Sequence, residues 1–228
     1  MVDRARDITL DRSTGRIEGV LGTNRVIRNT YTLLSMTLLF SAAMAGVAMV
    51  TNAPPVHWLL VLGGYFGLLF LTNALRNSAW GILSVFALTG FMGYTLGPII
   101  SLYLTVFSNG GELVMMALGG TGVTFVSLSA YALTTRKDFS FMRGFLLAGI
   151  IVAFLGGIGA IVFSLPALSL AVSAAFVLLM SGLILYQTSA MIHGGETNYI
   201  MATVGLYVAI FNLFLSLLQL LAAFAGER

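Results

Sequence analysis

Seven long apolar stretches, separated by short polar or breaker-rich segments, run through most of the chain, covering residues 31–50, 58–75, 79–103, 113–135, 139–163, 167–188 and 199–224. Each is close to or longer than the roughly 20 mostly apolar residues a helix needs to cross about 30 Å of hydrocarbon. Backbone groups in lipid must satisfy one another, and none of these stretches alternates with the two-residue period of a membrane-barrel strand. The pattern therefore predicts an all-α polytopic membrane protein with seven transmembrane helices. The breaks are strong at TNAPPVHW, RNSA, SNGGE, TRKD and HGGETN. The weakest is SLPA, where Pro166 alone separates the fifth and sixth spans, which predicts a very tight hairpin.

Composition agrees with lipid as the solvent. Of 228 residues, 58% are hydrophobic and only 8% charged, more apolar surface than one water-facing core absorbs. The absence of cysteine removes disulfides, thiolate metal sites and cysteine nucleophiles together. The segment before the first apolar run, residues 1–30, carries six arginines (Arg4, Arg6, Arg12, Arg16, Arg25 and Arg28) against Asp3, Asp7, Asp11 and Glu18. It is too long and too mixed in charge for a secretory n-region, so no cleavable signal peptide is expected. It also lacks a sustained apolar face, which predicts a flexible tail or a short surface helix outside the seven-helix domain of residues 31–228.

Charge then orients the bundle. With the N-terminus in the cytoplasm, ten of the eleven Lys and Arg residues face inward: the six tail arginines, Arg76, and Arg136, Lys137 and Arg143. Only Arg228 faces out, which fits the positive-inside rule. The C-terminus then lies on the outer side, and HGGETN lies inside. That loop holds His193, Glu196 and Asn198 as candidate contact residues. The spacing of His193 and Glu196 would suit two ligands on one helical face, but Gly194 and Gly195 between them favour a wet turn in which Glu196 or Thr197 caps the last span. His57, beside Trp58, reads as an interfacial anchor.

Buried ionisable groups would be the first functional candidates in such a chain. None falls deep in a span: Glu112 sits at a helix start, and Arg76 and Arg143 are near enough to a surface to snorkel. The deep polar residues are Asn73, Gln187, Asn212 and Gln219, either as glue between helices or as a neutral polar path. Gly63 with Gly67, Gly93 with Gly97, and Gly156 with Ala160 form small-xxx-small pairs suited to close helix approach. Pro98 removes a helical hydrogen bond from the third span and predicts a kink there.

Missing residues exclude several activities. A retinal Schiff base needs an intramembrane lysine, whereas the single lysine is Lys137 in a loop; an intramembrane aspartyl protease needs buried aspartates, and Asp138 is the only Asp beyond the tail. HExxH, GxSxG and GxxxxGK[ST] are all absent. No catalysis, cofactor, metal or nucleic-acid partner is expected.

Three segments in order, FALTGFMGYTLGPII (86–100), TTRKDFSFM (134–142) and LYVAIFNLFLSLLQLL (206–221), resemble the Bax inhibitor-1 family. RNTYTLLSMTLLFSA, LTTRKDFSF and HGGETNYI are similar to its bacterial YccA branch, and the likeness covers residues 28–221. The resemblance implies a bundle with the C-terminal helix at its centre, wrapped by the other six. It also implies association with the membrane AAA protease FtsH, as modulator and substrate, with the N-terminal tail as the point of engagement. Other branches of the family conduct a pH-sensitive calcium leak gated by paired aspartates on the sixth and seventh helices, with a basic partner near the end of the second. The matching positions here are Gln187 in LYQT, Ala209 in LYVAIFN, and Leu75 or Arg76. Neither an amide nor a methyl titrates, so this chain departs from the proton-switched pair.

Overall fold

The computed structural model describes the backbone of residues 2–226 and the side chains of residue 22 and residues 24–226. Seven helices follow one another: α1 (Val2–Val50), α2 (Trp58–Leu75), α3 (Trp80–Val106), α4 (Gly110–Thr135), α5 (Met142–Val162), α6 (Pro166–Ile192) and α7 (Tyr199–Gly226). All seven contain a stretch long and apolar enough to cross a membrane, which in α1 is Asn24–Val50. The protein is therefore a multi-pass, all-α membrane protein. The α1 backbone is helical from Val2, ahead of that apolar stretch.

Local chemistry sets the ends. α1 stops where Asn52 takes a left-handed conformation (φ 48°), Ala53 N–H reaches back to the Ala48 carbonyl at 2.9 Å, and Pro54 and Pro55 forbid continuation. Proline begins α6, where its missing N–H costs nothing. The hairpin before it holds only residues 163–165, as tight as the sequence predicts, with Ser164 at φ 52°. α6 runs four residues beyond its predicted end, to Ile192, and Ser189 and Met191 of that extension are buried.

α7 is the axis of the molecule. Leu206, Ala209, Leu213 and Leu218 along it are fully buried, and α1, α3, α4 and α6 pack on it and on one another in a ring. α2 packs outside on α3, and α5 on α6; the only side chain buried on α2 is Thr72. The closest approach in the ring depends on glycine. A Cβ at Gly93 would overlap the Ser41 carbonyl of α1, and one at Gly97 would lie 2.6 Å from the Ala48 Cβ. The predicted small-residue face of α3 therefore meets α1. Gly156 likewise faces Val172 of α6, whereas Gly63 and Gly67 on α2 have nothing within 4 Å.

Candidate interaction face at the basic end

Three connections gather at the end of the bundle that carries Arg76, Arg136, Lys137 and Arg143: the α2–α3 turn, the α4–α5 loop and the α6–α7 loop. Asn198 ties the first to the third. Its Oδ1 accepts the N–H groups of Ile200 (3.0 Å) and Met201 (3.1 Å), and its Nδ2 donates to the Arg76 carbonyl (2.9 Å) and to Asn77 Oδ1 (3.0 Å). Asn198 is thus the cap of α7, correcting the expectation that Glu196 or Thr197 would cap it. Glu196 instead accepts the N–H of Asn198 at 2.8 Å, which holds the cap in place. The physical reason is geometric: a capping side chain must stand immediately before the first helical turn, and α7 begins at Tyr199.

Ser189 ties in the remaining loop. It is buried in α6, donates to the Lys137 carbonyl (3.1 Å) and accepts the Phe139 N–H (3.0 Å). His193, the exposed C-terminal cap residue of α6, approaches the Ser189 carbonyl through Nδ1 at 3.0 Å, so that nitrogen carries the proton in this contact. Asp138 accepts the Ser140 N–H at 2.8 Å. That bond, then the Ser140 side chain, then the nearby His193, hold its carboxyl below the usual aspartate range. His193 faces a backbone carbonyl of α6 and Glu196 a backbone N–H of its own loop, and among the described residues no three His, Asp or Glu side chains converge on a metal-sized space.

The face is basic. Arg25, Arg28, Arg76, Arg136, Lys137 and Arg143 are all exposed, while both acids of the loops are occupied by backbone N–H groups. Arg76 donates to Asn73 Oδ1 at 3.3 Å, and Asn73 is exposed near the helix end rather than deep in the bundle as expected. The side chains of Arg4, Arg6, Arg12 and Arg16 lie outside the described residues.

The other polar candidates are scattered. Gln187 packs over Gly205, where any Cβ would overlap its amide, while Ala209, one turn further along α7, is fully buried in an apolar cluster with Met180, Ile184 and Leu213. Asn212 donates to its own helix at the Val208 carbonyl (2.9 Å). Gln219 clasps α6 to α7, donating to Ser169 (2.6 Å) and accepting from Ser173 (2.7 Å). Pro98 lines a separate cavity of about 420 Å³ with Asn52, Thr95 and Phe211. Asn73, Gln187, Asn212 and Pro98 are not brought together. The residue missed by the pattern is Tyr207, whose buried hydroxyl accepts from Ser41 of α1 (2.7 Å) and donates to the Thr89 carbonyl of α3 (3.2 Å). Only its place in LYVAIFN marks it in the sequence.

Known proteins resemble the chain along nearly its whole length. The family model described as "Inhibitor of apoptosis-promoting Bax1" matches residues 23–226. A Pseudomonas aeruginosa protein is 54% identical over 89% of this chain and 90% of its own. The Escherichia coli K12 protein named "Modulator of FtsH protease YccA" is 50% identical over 96% of this chain and 97% of its own, and a Vibrio cholerae membrane protein is 43% identical over 91% and 93%. Seven apolar helices packed about the last of them, with a family match spanning all seven, place the chain in the Bax inhibitor-1 family, among its YccA-like members.

Proposed function

We propose that this chain is an inner-membrane interaction protein that binds and modulates an FtsH-type membrane AAA protease, and is also its substrate. The observation that carries this reading is the 50% identity, over nearly both full lengths, to a protein named for modulating FtsH. The structure supplies a compatible surface. Three loops fixed to one another by Asn198 and Ser189 present exposed cations at one end, and the positive-inside rule turns that end toward the cytoplasm, leaving the C-terminus periplasmic. His193, Glu196 and Asn198 lie on this face, and the N-terminal segment with Arg4, Arg6, Arg12 and Arg16 leads away from the same end as the stretch a protease engages first. The anionic lipid of the inner leaflet is its other partner.

Removing residues 1–25 tests the reading. The truncated protein still inserts and still copurifies with the protease from mild detergent, but its half-life in protease-competent cells lengthens several-fold. An unchanged half-life, together with no copurification of the intact chain, overturns the proposal.

A further inference from the structure

α1 and α4 flank α7 without closing over it along their whole length. Between them lies a cleft of about 440 Å³ whose floor includes Tyr207, Phe211 and Phe214 of α7. Its mouth is formed by small residues. Ala42 and Gly46 on α1 and Gly122 on α4 line it, and a Cβ at either glycine would meet nothing within 4 Å. Gly122 and Ala42 are exposed, whereas Ser41 and Tyr207 at the base are buried. Surrounding hydrocarbon therefore reaches the central helix here.

The lining selects the occupant. Its three hydroxyls are already bonded within the protein: Ser41 to Tyr207, Tyr207 to the Thr89 carbonyl, and Thr121 to the Ala117 carbonyl at 2.7 Å. No free donor remains to hold a headgroup or an alcohol, and an apolar cavity does not retain water. Along α1 the cleft runs from Leu38 to Met49, which is roughly 16 Å of helix axis and close to half of the roughly 30 Å hydrocarbon thickness. It occupies the half of Asn24–Val50 remote from the basic end. A helix about 10 Å across fills roughly 420 Å³ in a single 5.4 Å turn, so a partner helix would seat only about one turn here. We propose that the cleft binds one lipid acyl chain from the leaflet opposite the basic end, seated against Tyr207 and Phe211, without selecting a headgroup. This inference does not depend on the protease reading.

The test uses the full chain in liposomes of phosphatidylethanolamine and phosphatidylglycerol, with a photoreactive diazirine placed midway along an acyl chain of one lipid at a time. Labelled peptides are mapped by mass spectrometry. Residues 38–49 and 118–125 label several-fold above the lipid-facing stretch 59–71 of α2, equally for both headgroups, and a headgroup-borne diazirine does not label them. Gly122→Leu fills the cleft and lowers labelling of 38–49 several-fold, while labelling of the α5 groove around Gly149 and Gly156 is unchanged. Gly46→Leu is the second variant, should Gly122→Leu fail to insert. Labelling of 38–49 no higher than that of α2, insensitivity to both substitutions, or labelling by one headgroup class alone overturns the proposal. So does a disulfide-linked dimer formed through Gly122→Cys in a chain with no cysteine of its own, which would assign the cleft to a second copy.

Discussion

At Tyr207 one phenol joins three helices, since its oxygen accepts a hydrogen bond from the Ser41 hydroxyl of α1 and its O–H donates to the Thr89 carbonyl of α3. Cross-helix bonds in lipid are individually modest, so Tyr207→Phe is expected to lower stability by about 1–2 kcal/mol, read from thermal unfolding in detergent, without changing the fold. Glycines behave according to what faces them. Gly93→Ala pushes a methyl into the α1 backbone at Ser41 and should cost about 1–3 kcal/mol, whereas Gly63→Ala meets open space and should be neutral or stabilising by up to about 1 kcal/mol. Equal losses in the two variants would contradict the α1–α3 contact. At Asp138 the sign follows from the Ser140 N–H bond, which lowers the folded pKa. Its contribution is complete above the unfolded aspartate value and disappears as pH falls through the lowered one. An NMR titration should place the Asp138 midpoint below that of an ordinary aspartate, and Ser140→Ala should raise it part of the way back.

Helices were legible because hydrocarbon thickness sets a length, and length can be counted along one chain. Apart from the start of α1, which lies well ahead of residue 31, their starts and stops were read to within four residues from proline, glycine and charge, and the small-residue face of α3 was legible as a spacing. Partners were not. Asn198 meets the α2–α3 turn across 121 residues of sequence and Ser41 meets Tyr207 across 166, separations that no local period encodes. The same limit explains the misplaced cap: Glu196 or Thr197 looked like the capping side chain, and only the register of α7 shows that Asn198 caps it with Glu196 in support. Because Asn198 both caps α7 and holds the α2–α3 turn, Asn198→Ala should cost about 1–2 kcal/mol and speed amide exchange at residues 200–202 and 76–79 together. Asn198→Asp keeps the acceptor and loses the donor. It should protect residues 200–202 while leaving 76–79 exposed to exchange.

Among the described residues, charged side chains are confined to the ends of the spans and the loops that join them. Between residues 24 and 226 the only acids are Glu112, Asp138 and Glu196, in a first helical turn or in loops, and the interior around Ala209 is packed with aliphatic carbon. Proteoliposomes containing the pure protein should therefore show no calcium uptake triggered by acid, in contrast to the behaviour implied by the aspartate-bearing branches of the family. Flux that rises on acidification and disappears in Gln187→Leu would contradict that expectation.

The helix on which α1, α3, α4 and α6 pack is also the last of the seven to be synthesised. α1, α3, α4 and α6 leave the ribosome and enter the membrane before their common partner exists. Until α7 inserts, their inward faces can meet only lipid, one another or an insertion factor. Assembly of the seven thus ends in a committing step, and a nascent chain arrested before residue 199 lacks the helix on which four of the others pack.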